Sequence, residues 1–129
     1  MALGASAVQI GTGFLRCPEA KISAPFRAAL GAASDDSTAI TNVMSGRPAR
    51  GIYNKIMREL GPMSADAPAF PHAAKALAPL RAAAEARGSG DFSALWAGQS
   101  VGLTQPMPAT DLTRTLAAAA QKRLEQLAR

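Results

Sequence analysis

Residues 6–15 read SAVQIGTGFL, an apolar run that ends in Gly-Thr-Gly. From Ala5 to Ile10 there is little polarity and no alternation, and Gly4 and Gly11 bound the run. A short strand with that pattern predicts cover on both faces, as in a parallel sheet interleaved with helices. The Gly-Thr-Gly then reads as the turn from strand to helix. Glycine lets the backbone approach an anion, the N–H groups of such a turn point at it, and the threonine hydroxyl adds a donor. By itself the pattern is ordinary turn chemistry. The chain has neither the GxxxxGK[ST] of a P-loop nor the full GxGxxG of a dinucleotide fold.

Downstream, Pro18 and Glu19 suit the first turn of a helix, which Pro25 interrupts; Ser23 suits the cap of a second helix through Ala33. Asp35-Asp36-Ser37 punctuates, and Thr38 to Met44 reads as a second strand. SGRPAR, Ser45 to Arg50, reads as loop. Ile52 to Leu60 predicts a short helix ended by Gly61-Pro62, and residues 63–71 are irregular. His72 to Arg87 predicts a helix bent or restarted at Pro79 and ended by Gly88-Ser89-Gly90. After a stretch holding Trp96-Ala97-Gly98-Gln99, a last helix runs from about Thr110 to Ala128. Leu112, Leu116, Ala120, Leu124 and Leu127 share one of its faces, with Arg114, Gln121 and Glu125 opposite.

The bulk properties exclude several classes. At 129 residues there is room for one domain with a core, not two. Hydrophobic residues at 48% against 18% charged describe a globular chain. The net charge of +5 comes from scattered basic residues, without aromatic interleaving or a Cys/His finger, so a solvated surface is expected and not nucleic-acid binding. One cysteine, Cys17, offers neither an intrachain disulfide nor a metal cluster and suits a reducing compartment. MALGASAVQIG has no basic region ahead of an apolar one, and no apolar run reaches the ~20 residues that span a bilayer. A cytoplasmic protein without membrane contact is the expectation.

Three segments together carry a resemblance. GASAVQIGTGFL (4–15), SGRPARGIYNKIMRE (45–59) and LWAGQSVGL (95–103) resemble, in order and in spacing, segments of the nitronate monooxygenases, formerly 2-nitropropane dioxygenases. That family implies an α/β fold in which this chain is the C-terminal fragment of a flavin-binding (β/α)8 TIM barrel, mainly helical with one or two strands. Residues 1–129 would be a single segment: the last barrel strand with its phosphate loop at about 4–15, then helices and loops, with Ala2-Leu3-Gly4 closing the preceding helix. The resemblance places Gln9, Ile10, Gly11 and Thr12 at the phosphate of flavin mononucleotide (FMN), and Gln99, beside Gly98, near the flavin ring. Gly13 departs from the larger or basic residue common there.

The activity implied is oxidation of alkyl nitronates by dioxygen, through the flavin, to carbonyl compounds and nitrite. The family's catalytic histidine lies upstream of the matched region, so no catalytic residue is assigned and the chain alone is expected to be inactive. A related flavin-barrel enzyme of the enoyl-ACP reductase type shares the Gly-Thr and Ala-Gly-Gln segments; SGRPARGIYN favours the monooxygenases. A truncated, non-catalytic product with a binding or structural role is a further alternative. Because such a barrel takes roughly 250 residues, an unpaired last strand predicts a need for an N-terminal barrel portion, or self-association.

Other chemistry-bearing residues have plainer readings. His72 has no paired carboxylate or nucleophile in sequence reach and reads as a surface residue at a helix start. Cys17 precedes a predicted helix, where a thiol pKa falls, yet lacks a base and reads as packing. Arg47 and Arg50 read as ties between a proline loop and nearby carbonyls and carboxylates, not as an anion site.

Overall fold

The computed structural model describes residues 3–128; Met1, Ala2 and Arg129 lie outside the described residues, and with Ala2 goes part of the expected preceding helix. Leu3 and Gly4 form a turn instead. The elements are α1 (Thr12–Leu15), α2 (Ala24–Ala32), β1 (Thr38–Thr41), β2 (Ala49–Ile52), α3 (Lys55–Leu60), α4 (His72–Glu85), a 3-10 turn (Gln99–Leu103) and α5 (Ala109–Leu127).

The first expected strand is absent. Residues 5–10 have no ladder partner among the described residues, and Val8 is 71% exposed. A strand exists by pairing, and an apolar run with nothing beside it has no bonds to hold it extended. The helix expected at Pro18 is also absent. The chain turns twice there, and the Arg27 guanidinium donates to the Cys17 carbonyl (3.3 Å) and the Ala20 carbonyl (2.7 Å), satisfying groups a helix would have used. Pro25 begins α2 at its first turn instead of interrupting a helix, since its missing N–H costs nothing there. Ser23 occupies the N-cap position without a side-chain capping bond.

β1 and β2 form an antiparallel pair, Thr38 opposite Ile52 and Thr41 opposite Ala49. β1 stops at Thr41, short of Met44, because the Thr41 hydroxyl accepts the Val43 N–H (3.2 Å) and the chain turns. Ala49 and Arg50, expected in the loop, open β2. Trp96 bridges Gly51 on the far side of β2. Ile52 N–H donates to the Leu95 carbonyl (2.8 Å) and Ala97 N–H to the Arg50 carbonyl (3.2 Å), so residues 95–97 lie along β2 as a short third line.

The hairpin divides two apolar clusters. Leu30, Ile52, Leu95, Ala97 and Val101 form one, with Leu15, Ile22 and Phe26 against it. Val43, Met44, Ile56 and Met57 form the other, with Leu77, Phe92 and Trp96. Helix α4 continues through Pro79 without restarting. The apolar face expected on α5 docks only at its beginning: Leu112 is buried, Leu116 and Leu124 are half-buried, and Ala120 and Leu127 face solvent.

Candidate functional site

The Gly-Thr-Gly turn sits at the start of α1. Gly11 precedes the helix in the right-handed region, and a Cβ built on it meets nothing within 4 Å. The backbone at Gly11 is therefore open to an approaching group. Gly13 is the reverse case. It is buried, and a Cβ there would lie 3.4 Å from Ile10 Cγ2 and 3.7 Å from Leu112 Cδ2. The small residue at 13 makes room for the last helix to seat on α1.

Three side chains fasten distant segments around this turn. Thr12 Oγ1 accepts the Gly98 N–H at 2.9 Å. Arg16 Nη1 donates to the Thr104 carbonyl at 2.6 Å. Glu19 Oε1 accepts the Ala109 N–H at 3.0 Å, at the head of α5. Between the turn and these segments lies a cavity of about 490 Å³. Residues 9–13 line it together with the apolar Leu103, Met107, Leu112 and Leu116 and the hydroxyl-bearing Ser100, Thr104 and Thr115.

The structure thus brings Gln9, Ile10, Gly11 and Thr12 together on one cavity. Gln99 is not among them: it is exposed and borders a separate hollow with Asp35 and Leu103, while its neighbour Ser100 lines the main cavity. The 3-10 turn makes that division, because successive residues of a tight helix point different ways. The part played by the Gly98 N–H, which reaches Thr12, was not predicted from the sequence; a backbone donor carries no residue-type signal.

The remaining candidates lie elsewhere. Arg50 Nη1 donates to the Thr38 carbonyl (3.3 Å) and hydroxyl (3.1 Å), a tie within the hairpin. The Arg47 guanidinium stands 4.7 Å over the Phe70 ring. His72 is exposed at the start of α4, away from the cavity lining. Cys17 is buried, and its thiol pKa is pushed up by burial and then by the Glu19 carboxylate, not lowered by a following helix. Among the described residues no group of three His, Cys, Asp or Glu side chains is placed to hold a metal, and no helix is long and apolar enough to cross a membrane.

Comparison with known proteins agrees with the layout. The chain matches the family described as "Nitronate monooxygenase" over residues 1–119. It is 45% identical over 115 residues to a nitronate monooxygenase of Pseudomonas aeruginosa, covering 88% of this chain and 33% of that protein. Against a nitronate monooxygenase of Paraburkholderia phytofirmans the identity is 38%, over 98% of this chain and 35% of that one. The chain therefore spans about a third of the length of these curated relatives. Its structure superposes on a nitroalkane oxidase of Streptomyces ansochromogenes with a TM-score of 0.86 and 38% identity, over 98% of this chain and 36% of that one. FabK of Thermotoga maritima gives 0.75 and 27%, over 98% and 40%.

Proposed function

The chain belongs to the nitronate monooxygenase family, and on that footing we propose that it forms the phosphate end of an FMN site in an enzyme that oxidises alkyl nitronates with dioxygen to carbonyl compounds and nitrite. The single observation that carries the reading is the open backbone at Gly11, on the wall of a cavity that Gln9, Ile10 and Thr12 also line. The residues fit the cofactor. A Cβ at Gly11 would occupy open space at the cavity lining, where a phosphate would approach the backbone, and Met107, Leu112 and Leu116 add the apolar lining that a flavin would need.

Bound flavin would supply the two-electron redox chemistry. The chain's own share is binding and exclusion. Of the first N–H groups of α1, that of Phe14 is taken by the Gly11 carbonyl (3.1 Å), and those of Thr12 and Gly13 are the donors a phosphate would use. Thr12 lines the cavity beside them. Gln9 lines the cavity, where its amide would orient the bound group, and the buried Leu112 and half-buried Met107 supply apolar lining. His72 is outside the cavity, so proton abstraction from the nitronate precursor belongs to residues of the remaining two-thirds of a full-length enzyme. The higher identities, to proteins named nitronate monooxygenase, favour this reading over an enoyl-ACP reductase. The single buried cysteine suits a cytoplasmic setting.

The test is a chimera in which this chain replaces the corresponding third of the Pseudomonas aeruginosa protein. FMN content after desalting and nitronate-dependent oxygen uptake are measured, with the unaltered Pseudomonas protein as reference. Flavin retention and turnover are expected, and Gly11→Val should weaken FMN binding at least about tenfold while leaving the melting temperature unchanged. A folded chimera without flavin, or a Gly11→Val variant with undiminished flavin, overturns the reading.

A further inference from the structure

The motif from Ser45 to Asn54 lies outside the cavity, yet its hydrogen bonds lead to it. Asn54 is buried, and its Nδ2 donates to the Gly90 carbonyl (3.1 Å) and the Ser93 carbonyl (2.9 Å). Leu95 and Ala97 are paired to β2 through Ile52 N–H and the Arg50 carbonyl, with Gly51 facing Trp96 between them. These bonds fix the backbone from 93 to 97. The next residue is Gly98, whose N–H reaches Thr12 Oγ1.

That last bond has a chemical consequence. A hydroxyl carries one hydrogen and accepts through its oxygen lone pairs. With the Thr12 oxygen taken by Gly98 N–H, the Thr12 hydrogen is directed away from Gly98, and Thr12 borders the cavity. Gly51 is what lets the pairing form. A Cβ there would lie 3.0 Å from the Leu95 carbonyl oxygen and 3.3 Å from Trp96 Cε3. The carbonyl is backbone, so a side chain at 51 must displace the Leu95 backbone against β2 by a few tenths of an ångström.

We propose that β2 is a positioning element for the cavity. Through Gly51 and the paired residues 93–97 it sets the Gly98 N–H on Thr12, which presents the Thr12 hydroxyl as a donor to an anionic group such as the flavin phosphate. The inference rests on the FMN reading for its ligand but not for its geometry, and two measurements separate them.

The first needs no flavin. Amide exchange at Gly98 is followed by NMR in the 129-residue chain. Thr12→Val and Gly51→Ala should each speed it about tenfold, the loss of one hydrogen bond. Unchanged Gly98 exchange in Gly51→Ala overturns the proposal, whatever flavin does. The second is a double-mutant cycle on FMN affinity in the chimera. Thr12→Val should raise the dissociation constant about tenfold or more, and Gly51→Ala severalfold. In the Thr12→Val background, Gly51→Ala should add nothing, because its effect runs through the hydroxyl. Full additivity, the mark of a merely structural glycine, overturns the positioning role. Riboflavin, which lacks the phosphate, should be indifferent to both changes; equal losses for riboflavin also overturn it. If Gly51→Ala fails to fold, Asn54→Ala, which releases the Ser93 carbonyl without crowding the strand, takes its place with the same expected results. A chimera that holds no FMN sinks the cofactor reading, and the Gly98 exchange result then decides the geometry alone.

Discussion

Gly46 and Gly13 show how single residues in this chain are chosen by what stands next to them. Gly46 has φ +89°, a conformation that L side chains rarely adopt. A Cβ on it would also run into the backbone of Pro68, Ala69 and Phe70. Strain and collision both fall on backbone that cannot give, so Gly46→Ala should lower stability by about 2–4 kcal/mol, read as a shift in the urea midpoint. A loss below about 0.5 kcal/mol would mean that the 68–70 segment is not seated on Gly46. Gly13 has a helical backbone, and a Cβ on it would meet Ile10 and Leu112 at ordinary van der Waals distance. Position 13 thus lies at the packing between α1 and α5. That packing leaves the open backbone at Gly11 untouched.

At the scale of elements, α4 holds a proline in its middle. Pro79 removes one backbone donor from the helix and its ring crowds the preceding turn. The residue is exposed, so it offers no burial in return. Pro79→Ala is therefore expected to stabilise the chain by about 1–3 kcal/mol in urea unfolding. Destabilisation would show that the course of the helix at Pro79 is what brings Leu77 and Ala84 onto the core. Helical spacing and Gly61-Pro62 are local signals and marked α2, α4, α5 and the end of α3, but Ile52, read as the start of that helix, belongs to β2, and α3 begins at Lys55. The sequence misplaced what depends on partners. Residues 5–10 carry strand composition but have no strand to pair with among the described residues, while Ala49 and Arg50, which look like loop, become strand because Thr41 and Ile40 lie opposite. The site divides the same way. The resemblance grouped Gln9 to Thr12 with Gln99 around one flavin, and the structure lines one cavity with Gln9 to Thr12, whereas the separation of Gln99 from them is set by a 3-10 turn that no residue in LWAGQSVGL announces.

For the whole molecule the relevant quantity is surface. The chain exposes 8341 Å², where a compact monomer of 13.2 kDa exposes about 6,400 Å². The excess is on the order of what two protein interfaces cover on one partner, at ~800 Å² each. It has an apolar address. Val8 is 71% and Ile10 40% exposed in the unpaired segment, and Leu127 is 63% exposed at the far end of α5. Residues 5–10 pair with no strand among the described residues, and such a segment is an edge that other chains can pair with. The purified chain should therefore self-associate, seen as a mass that rises with concentration in sedimentation. Val8→Lys places a charge on the exposed segment without touching either core cluster, and should shift the population to monomer while leaving the thermal transition in place. A wild-type chain that stays monomeric and melts cooperatively would show that the exposed segment needs no cover. If Val8→Lys leaves the mass unchanged, the association runs through α5, and Leu127→Lys becomes the variant that should disperse it.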